Sequence, residues 1–250
     1  MMNSKVVLVT GAAKRIGASI VRTFHANGYR VLIHAKSSKN EANALRSELN
    51  KMQKNSAGTI YADFDSHIET QKLSVAALDY FGRIDVLINN ASMFYPSPLL
   101  EASPDDWSSL FNSNVKAAFF LSQALTSELK KRKGSIINII DAHADKPLRN
   151  HVLYNMAKSA LKSMTKTLSL EMAPHVRVNG ISPGAILWPE TLEQESDEKI
   201  NQQKVEILDS IPMKRIGSAE DISNLAYFFA EKGQYITGQV IKVDGGRSLG

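Results

Sequence analysis

The chain has 250 residues, 43% hydrophobic and 22% charged, and no Pro/Gly/Ser-rich linker or charge block divides it, so a single domain spanning 1–250 with one sizeable core is expected. No apolar run approaches the roughly 20 residues that cross a bilayer, and zero cysteines exclude disulfides, thiolate catalysis and cysteine-ligated metal centres. The net charge of +5 is dispersed along the chain rather than gathered in a basic stripe, so neither nucleic acid nor membrane is an expected partner.

The N-terminus runs from Met1 to Ser4 straight into the apolar segment Val6 to Thr10, leaving no room for a secretory leader, and a cytoplasmic protein is expected. Val6 to Thr10 reads as a strand and Ile16 to Asn27 as the helix after it. The alternation continues with strand Arg30 to Ala35, helix Lys39 to Lys54, strand Thr59 to Asp63, helix Ile68 to Phe81 and strand Asp85 to Asn89. A long helical pattern from Asp105 to Lys131 ends in a run of cations and Gly134, which suits a helix C-terminus better than a phosphate-binding patch. Strand Ser135 to Ile140, helix Val152 to Met172 and strand Arg177 to Ser182 follow, and helix Ala219 to Phe229 and strand Gln239 to Val243 close the chain.

Such alternation is the sequence form of βαβ units, and strands apolar on consecutive residues are expected where helices cover both faces of a sheet. The fold class that follows is α/β: a Rossmann-like, doubly wound parallel sheet of about seven strands. One stretch breaks the rhythm. Residues 183–217 carry Pro183, Gly184, Pro189 and Pro212 without a clear strand, and a long irregular segment in a compact domain is usually functional; a substrate lid is expected there, with Trp188 lining it.

The first strand ends in Thr10-Gly11-Ala12-Ala13-Lys14-Arg15-Ile16-Gly17. Gly11 permits a tight turn, Gly17 close packing of helix on strand, and the helix N-terminus presents backbone N–H groups to a diphosphate. An ordinary βα turn would look similar. The second strand ends in His34-Ala35-Lys36-Ser37-Ser38, with no acid before Glu41 to bind a ribose hydroxyl, as NAD-specific proteins require. Arg15, Lys36, Ser37 and Ser38 are groups that hold a phosphate, so NADPH is the expected cofactor, against the plainer view that Lys36 is a solvated loop lysine. Asp63 fits two roles equally, an acceptor for the adenine or a strand-end turn residue. Asn90, Ala91 and Ser92 close the fourth strand, where parallel sheets place ligand contacts.

Tyr154 and Lys158 stand four apart in a helical pattern, hence on one face. An ammonium beside a phenol lowers its pKa and makes it a usable proton donor. The pair alone is common on helix surfaces. Together, however, Thr10-Gly11 to Gly17, Asn89-Asn90-Ala91, Asn114, Tyr154-x-x-x-Lys158 and Pro183-Gly184 follow the order and approximate spacing of the short-chain dehydrogenases/reductases, and the resemblance covers essentially the whole chain. It implies that Tyr154 donates a proton, that Lys158 lowers its pKa and binds the nicotinamide ribose, and that Asn114 holds a water in the proton relay. It also implies cofactor contacts from Ile16, Pro183 and Gly184 and a homotetramer built on the helices beginning near Asp105 and Val152.

Two departures from the common family pattern are similar to pteridine reductases: Arg15 in place of a middle glycine, and Asp141 in place of the serine thirteen before Tyr154. His34 with the neighbouring serines, the run Asn89 to Leu100 and the run Asp141 to Pro147 share that likeness. The resemblance implies that Phe94 stacks a pterin ring against the nicotinamide and that Ser92 lies close to the pterin and the cofactor phosphates. Reducing a ring C=N bond needs a proton delivered to nitrogen, which a carboxylic acid supplies better than a serine. A turn cap remains the alternative role for Asp141, and a core-packed loop aromatic that for Phe94. His143 and His151 read as loop residues. Two further functions compete with the pterin reading: a carbonyl reductase acting on a 3-oxoacyl thioester or small ketone, and a non-catalytic NADP-sensing regulator. The intact set of Asn114, Tyr154 and Lys158 argues against the regulator.

Overall fold

The computed structural model of the chain describes residues 4–188 and 198–249. Seven strands form one sheet: β1 (Val6–Val9), β2 (Arg30–Ala35), β3 (Ala57–Tyr61), β4 (Val86–Asn89), β5 (Ser135–Ile139), β6 (Arg177–Pro183) and β7 (Val240–Val243). All pairings are parallel, in the order β3-β2-β1-β4-β5-β6-β7. The expected Rossmann-like fold is therefore what forms.

Period-two alternation divides the core between the two faces. Val7 and Val9 of β1 pack with Ile20 and Phe24 of α1 (Arg15–Ala26) and Ile222 of α8 (Ala219–Tyr227). Val6 and Leu8 point the other way, into Leu73 of α3 (His67–Phe81) and Leu121 and Leu125 of α5 (Ala117–Arg132). The strand order reverses between β1 and β4, so the loops after these two strands part and leave a crevice beyond the sheet's carboxyl edge. Helices α2 (Lys39–Met52) and α6 (Val152–Met172) flank its two ends. Among the described residues no helix is long and apolar enough to cross a membrane.

Three elements differ from the sequence reading. β3 ends at Tyr61, so Asp63 falls in the turn beyond it. The long pattern from Asp105 is not one regular helix: α4 (Pro104–Phe111), capped by Ser103 and Asp106, passes through a π turn at Asn112–Lys116 before α5. The segment 183–217, expected to be irregular, contains a helix, α7 (Glu198–Asp209), which among its described side chains buries Ile200. Residues 189–197, including Pro189, lie outside the described residues.

Candidate active site

Thr10, just past β1, fastens the crevice. Its Oγ1 accepts the N–H groups of Asn90 at 2.9 Å and Ala91 at 3.0 Å, and Asn90 Nδ2 donates to the carbonyls of Thr10 and Gly11, each at 2.9 Å. Gly11 has φ +59°, and a Cβ there would stand 2.7 Å from Ala91 Cα. A Cβ on Gly17 would stand 2.5 Å from the Gly11 carbonyl oxygen. Both glycines are thus required by close approach. The side chain of Lys14, at the N-cap, does not cap α1, which leaves the amides of its first turn available to an anion. The crevice, about 690 Å³, runs from Ser37 and Ser38 past Ile16 and Ala91 to Pro183, Gly184, Asp141, Tyr154 and Lys158, a size that suits a dinucleotide and part of a second ligand.

Four groups were expected together as a phosphate site, and all four line the crevice. Arg15 takes left-handed backbone, φ +52°, where a glycine would be unstrained. Its guanidinium donates to the Trp188 carbonyl at 2.8 Å, on the segment after β6. Lys36 stays at the end of β2 with Ser37 and Ser38, but its ammonium is paired with Asp63 at 2.8 Å and Asp65 at 3.0 Å. The hydrogen bonds that the ammonium donates to Asp63 and then Asp65 push its pKa up. Burial would raise Asp63, but Lys36 outweighs it and holds that carboxyl below the usual range. Asp63 thus serves Lys36, and its Oδ1 also accepts the Asp65 N–H at 3.0 Å, the turn role that the sequence allowed.

His34 lines the crevice edge yet spends both ring nitrogens on the backbone. Gly11 N–H donates to Nδ1 at 3.1 Å, so Nε2 carries the proton and donates to the Ala62 carbonyl at 3.1 Å. The ring stacks on Phe64, centroids 4.5 Å apart. Burial lowers its pKa to about 4, only partly opposed by the Ala62 bond. His34 is therefore a strut between the glycine turn and β3.

The π turn brings Asn114 inward and buries it. Its Oδ1 accepts from Ser92 Oγ at 2.7 Å, and its Nδ2 donates to the carbonyls of Met93 and Leu110, each at 2.9 Å. The side chain expected to hold a relay water is thus engaged in fixing the Ser92–Met93 loop.

Tyr154 and Asp141 meet directly: the phenol donates to Asp141 Oδ2 at 2.7 Å. Asp141 Oδ1 accepts the His143 N–H at 2.8 Å, capping the 3₁₀ turn Ala142–Ala144. The turn-capping role that the sequence allowed is present, and the other carboxylate oxygen faces the phenol. Lys158 is fully buried, its ammonium bound to the Ile139 carbonyl at 3.1 Å and 5.7 Å from the Tyr154 ring centroid. Burial brings the lysine down to about 8, against the pull of Asp141. The expected lowering of the phenol is reversed. Burial first, then the Asp141 charge and the hydrogen bond to it, push Tyr154 well above the ordinary tyrosine range, with Ser92 pulling the other way.

Phe94 lines the same crevice and is 56% exposed, so it is not a core-packed loop aromatic. It meets the Tyr154 ring edge to face at 4.8 Å and lies nearly parallel to His151 at 4.7 Å. His151 lies outside the helix, as the residue that precedes α6, in keeping with its reading as a loop residue; its stacking on Phe94 depends on a distant partner that the sequence does not show. His143 sits in the 3₁₀ turn Ala142–Ala144, its Nδ1 bound to the Lys146 carbonyl. Among the described residues no cluster of side chains suits a metal ion.

Residues 11–248 match the family model described as Enoyl-(Acyl carrier protein) reductase. The chain is 36% identical to Pteridine reductase 1 of Leishmania tarentolae, over 98% of this chain and 96% of that one. It is 31% identical to Glucose 1-dehydrogenase 2 of Bacillus subtilis, over 99% and 96%, and 32% identical to a 3-oxoacyl-(acyl-carrier-protein) reductase of Staphylococcus epidermidis, over 97% and 98%. With the parallel sheet, the glycine turn and the Tyr154–Lys158 pair in one crevice, these full-length matches show that the chain is an oxidoreductase of the short-chain dehydrogenase/reductase family.

Proposed function

We propose that the protein is an NADPH-dependent pteridine reductase, reducing a ring C=N bond of a pterin, dihydropterin or dihydrofolate. The observation that carries the reading is the 2.7 Å bond between Tyr154 and Asp141 in a crevice bordered by Phe94. The likeness to Pteridine reductase 1 supports it.

The crevice fits a dinucleotide on its own geometry: Gly11 and Gly17 have no room for a Cβ, and the α1 amides are uncapped. The first turn of α1 would hold the diphosphate, Lys36 with Ser37 and Ser38 the ribose phosphate, Lys158 the nicotinamide ribose, and Asn90, Ala91, Pro183 and Gly184 the nicotinamide end. When bound, NADPH supplies the hydride that the substrate carbon accepts.

The chain's own part is the proton. A phenol raised by burial and by a neighbouring carboxylate is a weak acid, so Tyr154 is poorly placed to protonate a substrate alone. Paired with Asp141, it completes a unit in which the carboxylate, which accepts the phenol's hydrogen bond in the resting site, takes up a proton from solvent and passes it to the ring nitrogen while the phenol orients it. A serine at position 141 would neither raise the phenol nor supply that acid. Phe94 offers the planar substrate an aromatic wall beside this pair, and Ser92, held by Asn114, stands next to it.

A cytoplasmic homotetramer accompanies the reading, in keeping with the exposed Trp107 on α4, Phe119 on α5 and Met156 on α6. A stable monomer in sedimentation would remove that part. NADPH oxidation measured with dihydropterin, dihydrofolate and an acetoacetyl thioester tests the function: turnover of the thioester with none of the pterins would make the protein a carbonyl reductase, and tight NADPH binding without any turnover a cofactor sensor.

A further inference from the structure

We infer that His151 is a positioning residue for the substrate ring: it backs the Phe94 platform and holds it at a fixed angle to Tyr154. The role rests on the reading of Phe94 as a stacking wall.

A phenyl group has two faces. One face of Phe94 is covered by the His151 imidazole, centroids 4.7 Å apart and planes 14° from parallel. Phe94 lines the crevice, whereas His151 does not figure among the described residues that do. The face opposite the imidazole is therefore the one offered to a ligand, and the edge contact with Tyr154, at 79°, sets how that face meets the proton-handling pair. A half-exposed phenylalanine on a loop would otherwise sample several rotamers, and a substrate that stacked on it would have to overcome that freedom.

The backing ring is itself fixed. His151 Nδ1 bonds to the Arg149 carbonyl at 2.8 Å; a carbonyl only accepts, so Nδ1 keeps its hydrogen whether the ring is neutral or charged. The two loops are sewn together independently of the rings. Ser97 and His151 form a parallel bridge, with Ser97 N–H donating to the Asn150 carbonyl at 2.6 Å and Leu153 N–H donating to the buried Ser97 Oγ at 3.2 Å. The Phe94 loop is thereby registered on the first turn of α6, three residues from Tyr154.

Steady-state kinetics of the full chain with NADPH and dihydropterin test this. His151→Ala is expected to raise KM for the pterin by about 3–10-fold, the range of an aromatic pair, with kcat within about twofold and the NADPH dissociation constant unchanged. His151→Phe keeps a ring behind Phe94 and is expected to restore KM to within about twofold of wild type. A merely structural residue would lower kcat and cofactor binding together and would not be rescued by phenylalanine. A wild-type enzyme that reduces pterins while His151→Ala keeps its KM overturns this role alone. A wild-type enzyme that ignores pterins overturns the pteridine reading and this role with it.

Discussion

Tyr154 donates to Asp141 at 2.7 Å while Lys158, one turn away on α6, turns its ammonium to the Ile139 carbonyl. The titration to be seen on the alkaline side therefore belongs to Lys158, brought down by burial to about 8, and not to the phenol, which burial and Asp141 push up. The protonated lysine is the working form, so activity is lost as pH rises. The expected profile of kcat/KM falls about tenfold per pH unit above the lysine's pKa. Lys158→Arg, whose charge does not titrate there, should remove the limb even if it lowers the rate. A flat wild-type profile across that pH would contradict the assignment.

Cofactor preference is expected to rest on Lys36. Lys36→Ala should weaken NADPH by about tenfold and NADH hardly at all, a modest loss because the ammonium is half exposed and shared with two carboxylates. Asp65→Asn removes one of the two carboxylates that share Lys36 and should tighten NADPH by about two- to fivefold. Arg15→Ala, which cuts the bond to the Trp188 carbonyl, should affect the two cofactors alike. Fluorescence titration with both nucleotides decides; equal losses in Lys36→Ala would show that the ribose phosphate lies elsewhere.

Phe94→Ala removes the wall beside Tyr154. KM for dihydropterin should rise by about fivefold, the worth of one aromatic stack, with NADPH binding nearly intact. A loss in kcat with KM unchanged would place Phe94 outside the substrate's path.

His34 makes stability sensitive to acid. Its pKa is lowered in the folded protein to about 4, below the 6.5 of an ordinary histidine, so the unfolded chain binds more protons between those values. Stability should fall as pH drops through that window, by about 1.4 kcal/mol per pH unit from this group. His25, also lowered by burial, titrates in the same direction. Urea unfolding across the window isolates the first contribution by comparing wild type with His34→Gln, whose slope should be shallower by one proton. Parallel slopes would mean that His34 is not buried neutral.

The sheet was legible because each strand is short, apolar and bounded by a helical pattern, and the glycine turn because Gly11 and Gly17 answer to local geometry. What escaped the sequence depends on distant partners. Nothing near Lys36 shows that Asp63 and Asp65 reach it across the β2–β3 pairing, or that Arg15 faces Trp188. Asn114 could be named from its place in the family pattern, but the π turn that points it at Ser92 and Met93 has no residue signature in Asn112–Lys116. Tyr154 and Lys158 were read correctly as a pair, yet the direction of the tyrosine's shift was set by burial and Asp141, neither of which helix spacing reveals. Helix α7 was overlooked because the prolines and glycines on either side of it dominate that stretch.

The most direct test is the ratio of kcat/KM for dihydropterin to that for an acetoacetyl thioester, measured with NADPH for wild type and for Asp141→Ser. Wild type should favour the pterin. The substitution removes the acid and the carboxylate that raises Tyr154, so pterin turnover should fall by the roughly 10²–10⁴-fold typical of a lost general acid, while thioester reduction holds or rises. A wild type that prefers the thioester, or an Asp141→Ser variant that keeps full pterin turnover, would contradict the assignment of Asp141 as the acid of a pteridine reductase.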